Sequence, residues 1–152
     1  MAQQRQSGIG WLVSINNSGN NAAPSWQALG ISNQKTLNHN LKNKIIDVTG
    51  KGDSGFRSVI AGIAEVTLQV DFSLITSDAA YIQMKSNFKN QASTVVATKL
   101  AAESYIQIQR ADGTTYVYNA WIADLTEDAP YDKELIGKVT FEIDGAPVTW
   151  VN

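Results

Sequence analysis

The sequence predicts a mainly β fold, an antiparallel β-sandwich or barrel with one flanking α-helix. Three observations support this class. Val, Ile, Thr, Tyr and Trp are frequent and proline occurs only 3 times, a composition typical of strands. Apolar and polar residues alternate over residues 63–75, and only residues 77–91 place apolar residues at helical spacing. The 152 residues suit one domain, residues 1–152, which can bury roughly 70% of the surface that its unfolded chain exposes.

The N-terminal part of the chain is predicted to contain an arm and two short strands. Residues 1–10 form the arm, and residues 11–16, WLVSIN, favour a strand. A cluster of Asn, Gly and Pro over residues 16–24 predicts a loop. Residues 25–32, SWQALGIS, favour a second strand.

Two long amphipathic strands are predicted at residues 34–48 and 63–75. The first has an apolar face and a polar face, formed respectively by Leu37, His39, Leu41 and Ile45 and by Thr36, Asn38, Asn40, Lys42 and Lys44. The second strand has the same division. Its apolar face is formed by Ala64, Val66, Leu68, Val70, Phe72 and Leu74, and its polar face by Glu65, Thr67, Gln69, Asp71 and Ser73. At ~3.3 Å per residue the second strand is about 40 Å long, well beyond the usual length of a strand.

The remaining elements follow in order. Residues 77–91 predict a helix in which Ser77 caps the first turn and Asp78 lies within it. The Asp112–Gly113 pair predicts a hairpin turn. Alternation and turn residues predict the other strands at residues 104–111, 115–125 and 134–144, with residues 126–133 as a turn and residues 146–151 as a short final strand.

Residues 47–62, DVTGKGDSGFRSVIAG, join the two long strands. The segment lacks the G-x-x-x-x-G-K-[ST] spacing of a phosphate-binding loop and the ligand spacing of a calcium loop. Asp47 is expected to end its strand by bonding to nearby backbone. Because glycine permits left-handed turns, we expect residues 49–62 to form a flexible loop.

Residues capable of catalysis are sparse. The single histidine, His39, lies among leucine and isoleucine, which favours a hydrogen-bonded structural role over a catalytic base. Asp124, Glu127 and Asp128 are more typical of a solvated turn than of a hydrolytic carboxylate pair. The chain has no cysteine for a thiolate zinc site. We therefore expect no enzyme activity, no cofactor and no metal. The formal charge of −2 and pI of about 5.3 argue against tight nucleic-acid binding.

The two long strands are predicted to leave open edges. Monomeric proteins usually block such edges, and here only Lys42 and Lys44 would deter pairing. Pairing with identical chains around a closed ring removes the edges altogether. The sequence therefore predicts self-association, and no apolar run is long enough to anchor the chain in a membrane.

The chain resembles the major tail proteins, or tail tube proteins, of long-tailed bacteriophages and related gene-transfer particles. The resemblance is densest over residues 47–62, where it involves Asp47, Val48, Thr49, Gly55, Phe56, Arg57 and Gly62. It continues through the strand at residues 63–75, an Asp78–Ala79 helix start, and a closing segment with Thr140, Phe141 and Glu142 before Gly145. Residues 1–33 match less well.

The resemblance implies a β-sandwich with one flanking helix, and hexameric rings in which long hairpins join into one inter-subunit barrel. It implies that the rings stack into a tail tube around a tape measure protein, are closed by tail-end or terminator proteins, and deliver double-stranded DNA. The protein would then be a structural virion protein, assembled in the host cytoplasm. Type VI secretion tubes and contractile-tail tubes are similar in fold, so the tail type stays open.

Two sets of site residues follow from this interpretation. The candidates for the lumen wall are the polar residues of the long strands, Asn38, Asn40, Lys42, Lys44, Glu65, Thr67, Gln69 and Asp71. The candidates for contact with the next subunit are the loop residues Asp47, Thr49, Lys51, Asp53, Phe56 and Arg57. The alternative is a monomeric β-sandwich that binds carbohydrate or another ligand through tryptophan side chains.

Overall fold

The computed structural model of the protein describes residues 10–150. Seven strands form one antiparallel sheet in the order β2-β1-β5-β6-β7-β4-β3. Their bounds are β1 Leu12–Asn16, β2 Trp26–Ala28, β3 Gln34–Asp47, β4 Val59–Ser73, β5 Ser104–Gln109, β6 Thr115–Asp128 and β7 Ile136–Ile143. The helices are α1 Ala79–Gln91 and α2 Val96–Ala101, with 3-10 turns at Leu29–Ser32 and Lys51–Asp53. The predicted fold class is confirmed.

Strand β6 belongs to both halves of the sheet. Its residues 115–120 pair with β5, and its residues 120–128 pair with β7. We call the half formed by β3, β4, β7 and residues 120–128 of β6 the four-strand layer. The other half consists of β2, β1, β5 and the beginning of β6.

One hydrophobic core lies between the two halves. The four-strand layer contributes Leu68, Val70 and Phe72 of β4, which are fully buried, and the opposite half contributes residues such as Ile15 and Ile106. These β4 residues are the apolar side of the alternation found in the sequence, so the predicted faces of residues 63–75 are confirmed over the part that packs on the core.

The side chain of Gln34, on β3 at one end of the sheet, closes the sandwich by bonding to β1 in the opposite half. Its amide oxygen accepts a hydrogen bond from the backbone N–H of Val13 at 2.9 Å, and its amide nitrogen donates to the Val13 carbonyl at 2.7 Å. The amide thus replaces a neighbouring strand, because it satisfies both polar groups of a backbone that would otherwise be buried without partners.

Helix α1 begins one residue later than the sequence indicates. Asp78, not Ser77, is the N-cap: its carboxylate accepts a hydrogen bond from the N–H of Ala80 at 3.2 Å and another from the N–H of Gly30 at 2.9 Å. At the far end of the helix, the side-chain amide of Gln91 bonds both the N–H and the carbonyl of Ile122, each at 2.9 Å. Helix α1 is therefore fastened to the 3-10 turn at its beginning and to β6 at its end.

Several predicted boundaries were wrong. The strand predicted at residues 25–32 ends at Ala28, because Gly30 adopts a positive φ of 64° within a 3-10 turn. Strand β6 continues through residues 126–128, which were predicted as a turn. The short helix α2 was not predicted. Within the described part of residues 146–151, the predicted strand is reduced to one bridge, between Thr149 and Val117.

No helix within residues 10–150 is both long enough and apolar enough to cross a lipid bilayer.

Candidate assembly surfaces

The hairpin of β3 and β4 extends well beyond the rest of the sheet. Strand β7 pairs with β4 only from Thr67 to Ser73, so residues 42–65 have no third strand beside them. We call residues 42–65 the projecting ribbon. Its paired part, Lys42–Asp47 against Val59–Glu65, is about 20 Å long at ~3.3 Å per residue.

The projecting ribbon carries apolar side chains that face water. Ile45, Ile60 and Ile63 are 52%, 53% and 74% exposed, and Val59 is also exposed. A two-stranded hairpin is at best marginally stable alone in water, and an exposed apolar patch on a soluble protein usually marks a contact surface. The ribbon therefore has the properties of a segment that is covered by another molecule.

A bulge bends the ribbon near its base. Asn43 pairs with Ala64 and Ile45 with Ala61, so three steps along β4 oppose two steps along β3. Gly62 lies at this point, and a Cβ there would approach the Ile46 Cδ1 atom to 3.0 Å and the Lys44 carbonyl to 3.1 Å. Glycine lets the strands stay this close, and the bulge increases the twist of the ribbon.

The tip of the ribbon, residues 48–58, is closed by its own hydrogen bonds. The Asp47 carboxylate accepts from the Thr49 N–H at 2.9 Å and from the Thr49 hydroxyl at 2.5 Å, while Arg57 Nε lies 3.4 Å from the other Asp47 oxygen. These Thr49 bonds, aided by Arg57, hold the pKa of Asp47 below its ordinary value. The predicted backbone bond of Asp47 is thus confirmed.

The loop predicted over residues 49–62 is shorter in the structure, because residues 59–62 belong to β4. Among its candidate contact residues, Phe56 is 78% exposed and sits beyond the left-handed Ser54 and Gly55. Lys51 and Asp53 lie in the 3-10 turn, where the Asp53 carboxylate accepts from the Gly50 N–H at 2.6 Å. Five of the six candidates therefore lie in the tip and Asp47 lies at its base, with Phe56 presented to solvent.

The polar candidates of the two long strands share one face of the four-strand layer. Directly opposed residues lie on the same side of a sheet, and the register opposes Asn38 to Gln69, Asn40 to Thr67, and Lys42 to Glu65. Asp71 follows on the same side of β4, and Lys44 continues the row along β3 at the bulge. We call this surface the polar face.

Strands β7 and β6 extend the polar face with residues that were absent from the sequence-derived set. The register opposes Thr67 to Glu142, Gln69 to Thr140, and Asp71 to Lys138. On β6 a bulge between Ile122 and Asp124 changes the alternation. The polar face consequently also includes the β6 residues that oppose Thr140, Lys138 and Ile136, namely Asp124, Thr126 and Asp128.

The charges of the polar face favour a mildly acidic surface. It carries three lysines, Lys42, Lys44 and Lys138, and five carboxylates, those of Glu65, Asp71, Asp124, Asp128 and Glu142. Lys42 is directly opposite Glu65 and Lys138 is directly opposite Asp71. Amides and hydroxyls fill most of the remaining positions.

The four-strand layer has two open edges. Within residues 10–150 no strand pairs with the outer side of β3, which is the last strand of the sheet. On β6, pairing with β5 stops at Ala120, so residues 124–128 bond to β7 on one side only. Unpaired strand edges such as these bind other strands unless they are blocked.

His39 has a structural role, as the sequence indicated. Its Nε2 atom lies 3.0 Å from the Tyr118 hydroxyl, and its ring contacts the ring of Tyr116 edge-on at 5.1 Å. Burial lowers the pKa of His39, which favours the neutral ring. The histidine therefore joins β3 to β6 across the sandwich.

The tryptophans lie in three different places. Trp26 stacks on Tyr105 at 5.3 Å. Trp11 and Trp150 belong to one cluster, in which Trp150 meets Tyr116 edge-on at 5.2 Å and the Arg110 guanidinium lies 5.6 Å from the Trp11 ring and 6.0 Å from the Tyr116 ring. Trp121 is opposite Glu142 of β7, on the polar face. A carbohydrate platform needs aromatic faces grouped on one open surface, and the four rings are not grouped in this way.

The sequence matches the family model for phage tail tube protein over residues 5–149. No curated protein sequence matches the chain significantly. In fold, the chain is similar to the tail protein of an empty gene transfer agent particle refined with C6 symmetry, at 13% identity and a TM-score of 0.76, covering 97% of this chain and 100% of that one.

Two other solved structures share the fold. The tail tube of phage SPP1 aligns at 10% identity and a TM-score of 0.68, covering 93% of this chain and 77% of that one. A chain of the anti-feeding prophage baseplate aligns at 12% identity and a TM-score of 0.61, covering 95% of each. Because the family match spans nearly the whole sequence, the chain belongs to the phage tail tube protein family and is a structural, non-enzymatic protein of a virion tail.

Proposed function

We propose that copies of this chain form hexameric rings that stack into a tube, and that double-stranded DNA is delivered through its bore. The observation that carries the proposal is the pair of open edges on one layer, the outer side of β3 and residues 124–128 of β6. Each edge lacks a strand, and in a ring the two neighbouring copies each supply one.

The direction of the strands makes these edges compatible. Each neighbouring pair in the layer, β3 with β4, β4 with β7, and β7 with β6, is antiparallel. Strands β3 and β6 therefore run in opposite directions, so β3 of one copy pairs with β6 of the next in the same antiparallel pattern. Repeating this contact around a ring leaves no edge unpaired.

The number of strands is consistent with a channel. Six copies of four strands close a barrel of about 24 strands, whereas barrels of about 16–18 strands already enclose an aqueous channel. The C6 symmetry of the similar gene transfer agent tail supports six as the number of copies.

The polar face then lines the bore. Five carboxylates outnumber three lysines in each copy, and six copies multiply the difference. DNA carries one negative charge per ~1.7 Å of its axis, so a lysine-rich wall would retain it. A mildly acidic wall of amides and hydroxyls lets it pass.

The projecting ribbon and its tip contact neighbouring copies in this arrangement. Phe56 acts as the apolar anchor, and the exposed isoleucines of the ribbon are buried at the same time. The bore holds the tape measure protein before the DNA, and terminator proteins bind the exposed end of the last ring.

Hydrogen–deuterium exchange of subunit and polymer tests the edge pairing. In the polymer, peptides covering residues 36–47 and 124–128 are expected to exchange at least about 10-fold more slowly than in the subunit, because new inter-subunit bonds protect their amides. Residues 104–109 of β5 are the matched control, since this strand already has a neighbour on each side. Unchanged exchange at both edges in a sample that microscopy shows to be polymeric would contradict the proposal.

A further inference from the structure

The two open edges of the four-strand layer differ in length. Strand β3 pairs regularly from Thr36 to Asn43, between two register shifts, whereas the open part of β6 consists of residues 124–128. A strand of this length can pair with the longer one in several registers. Because side chains alternate with a period of 2, a slip by one residue would move the polar side chains to the other side of the sheet. Only even-numbered slips keep the polar face continuous from copy to copy.

The tilt of the strands in a closed barrel limits the register further. Within one copy, strand pairing places four residues in a row across the layer, namely Asn38, Gln69, Thr140 and Asp124. Four strands are together about 19 Å wide at ~4.8 Å per strand. Since the strands of barrels tilt by roughly 35–45°, the row reaches the next copy with an offset of about 13–19 Å, or about 4–6 residues. Asp124 is therefore opposite a residue that lies four or six positions from Asn38 of the next copy.

The limits of β3 allow this offset in one direction only. Towards the N-terminus, an offset of four residues would already place Asp128 opposite Gly30, which lies in a 3-10 turn and not in a strand. Towards the C-terminus, the two offsets place Asp124 opposite Lys42 or Lys44. Either arrangement brings a cation to the carboxylate, so the choice between them depends on the other pairs.

We propose that Lys42 is opposite Asp124 of the neighbouring copy, so that residues 38–42 of β3 pair with residues 124–128 of β6. This inference rests on the proposed ring and adds the residues that fix its register. Lys42 then lies between two carboxylates, because Glu65 is opposite it within its own copy. The remaining polar pairs across the contact are Asn40 with Thr126 and Asn38 with Asp128.

The other face of the sheet supports this register. It places Leu41, which is 51% exposed, opposite Leu125 of the neighbouring copy, which already packs against the core. Directly opposed side chains on neighbouring strands contact each other, and apolar pairs stabilise a sheet. With Lys44 opposite Asp124, the charged Glu127 would instead be opposite Leu41, and Leu125 would be opposite an asparagine.

Two backbone features end the pairing at the same point. On β6, the Gln91 amide bonds both the N–H and the carbonyl of Ile122, each at 2.9 Å, so an incoming strand finds these two groups occupied. On β3, the bulge that follows Asn43 bends the projecting ribbon away. In the proposed register the pairing ends just before both features, whereas a further slip by two residues would carry it into the bulge.

Disulfide formation between engineered cysteines tests the register, because the natural chain contains no cysteine. In the double variant Asn40→Cys, Thr126→Cys, the two thiols are directly opposite each other in the proposed register. Within one copy these positions are three strand spacings apart, at least about 14 Å, which is too far for a disulfide. We expect the oxidised polymer to give covalent multimers up to the hexamer on a non-reducing denaturing gel.

Two matched variants test the registers that are slipped by two residues in either direction. They are Asn40→Cys, Asp128→Cys and Asn40→Cys, Asp124→Cys. We expect each to give at least about 10-fold less covalent hexamer, because diagonal neighbours lie about 7–8 Å apart. Stronger cross-linking in either matched variant, or none in any of the three, would overturn the register if the wild-type protein forms tubes. Wild-type protein that forms no rings or tubes would overturn the proposed function itself.

An exchange of charges gives a second measurement that needs no cysteine. Asp124→Lys is expected to raise the protein concentration needed for tube assembly, because two lysines then oppose each other. Adding Lys42→Asp should lower this concentration by about 3-fold, whereas adding Lys44→Asp in its place should not. Sedimentation measures assembly in all three variants. Recovery from Lys44→Asp alone, from both second substitutions equally, or from neither would overturn the register.

Discussion

At the scale of single residues, Phe56 is the side chain most clearly placed for assembly. It is 78% exposed at the tip of the ribbon, whereas Phe72 and Phe141 are fully buried. The tip is held by bonds among Asp47, Thr49 and Ser58, none of which involves the Phe56 ring. The ring is therefore presented by a built turn and is free to enter a neighbour.

Phe56→Ala is expected to block tube formation and leave the subunit folded. Anchor residues typically contribute about 2 kcal/mol or more to a contact. Losing this contribution raises the protein concentration needed for assembly by about 30-fold. Sedimentation measures assembly, and thermal unfolding measures the subunit. Phe88→Ala, on the 46% exposed Phe88 of α1, is the matched control. Normal tubes from Phe56→Ala would refute the anchor role.

Glu103 gives the stability of the subunit a pH dependence. Burial, followed by its contact with Asp144, raises the pKa of Glu103 from 4.5 to about 7. The folded state therefore holds a proton that the unfolded state releases above pH 4.5. The stability from this proton is complete below about pH 4.5 and is lost as pH rises through 7.

Glu103→Gln is expected to stabilise the subunit at pH 8 and to change little at pH 4. The gain at pH 8 should be about 1 kcal/mol, because the carboxyl is only partly buried and water screens it. Thermal melts of both proteins from pH 4 to pH 8 measure the difference. A gain of equal size at both pH values would show that protonation of Glu103 is not its cause.

At the scale of elements, the contact between β4 and β7 depends on a glycine. Gly137 is directly opposite Phe72, and the phenylalanine ring lies over it. A Cβ at Gly137 would approach the Phe72 Cζ atom to 2.5 Å. No side chain fits here unless the ring moves out of the core.

Gly137→Ala is therefore expected to destabilise the subunit by about 1–3 kcal/mol, the usual cost of overpacking a core. Denaturant unfolding measures the loss in the free energy of unfolding. Gly52→Ala is the matched control, because nothing lies within 4 Å of a Cβ there. Gly113→Ala is unsuitable as a control, because the φ of Gly113 is 85°. The double variant Gly137→Ala, Phe72→Leu should recover part of the loss, and no recovery would show that the ring is not the obstacle.

The elements themselves were predictable where one periodicity dominated. Residues 63–75 alternate strictly, and the faces of residues 66–72 were assigned correctly from the sequence, whereas Ser73 of the predicted polar face is buried and the strand ends there. The extension of β4 back to Val59 was missed, because Val59, Ile60 and Ala61 are consecutive apolar residues without alternation. Helix α2 was missed because it is one and a half turns long, too short to show a period. The bulges in β4 and β6 depend on the partner strand and leave no sign in a single sequence.

The candidate site was predictable only in part, because some of its residues are brought together by the pairing of strands. The polar residues of β3 and β4 could be grouped from their own alternation. Lys138, Thr140 and Glu142 lie in the strand predicted at residues 134–144, but only the register of β7 against β4 places them beside Gln69 and Asp71. The position of Asp124 depends on the β6 bulge.

At the scale of the whole molecule, the charge of the polar face is the property most directly tied to DNA passage. Neutralising three of its carboxylates, in Glu65→Gln, Asp71→Asn, Glu142→Gln, leaves three lysines against Asp124 and Asp128. Six copies then present a positive wall, which binds phosphates with a strong dependence on salt.

Tubes of this triple variant are expected to pellet short duplex DNA at about 50 mM salt and to release it at about 200 mM, whereas wild-type tubes bind little at either. Co-sedimentation of the DNA with the tubes measures binding at each salt concentration. Asp112→Asn, Asp132→Asn, Glu134→Gln removes the same number of charges away from the polar face and is the control. Equal DNA binding by the control tubes would mean that the polar face does not line the bore.

An electron cryo-microscopy reconstruction of the polymer, with the strands traced, tests the central claim most directly. The account predicts a closed ring in which β3 of each copy hydrogen-bonds to residues 124–128 of β6 in the next, with Asn38, Gln69 and Thr140 facing the bore. A polymer in which both edges stay unpaired, or are covered within each copy, would contradict it.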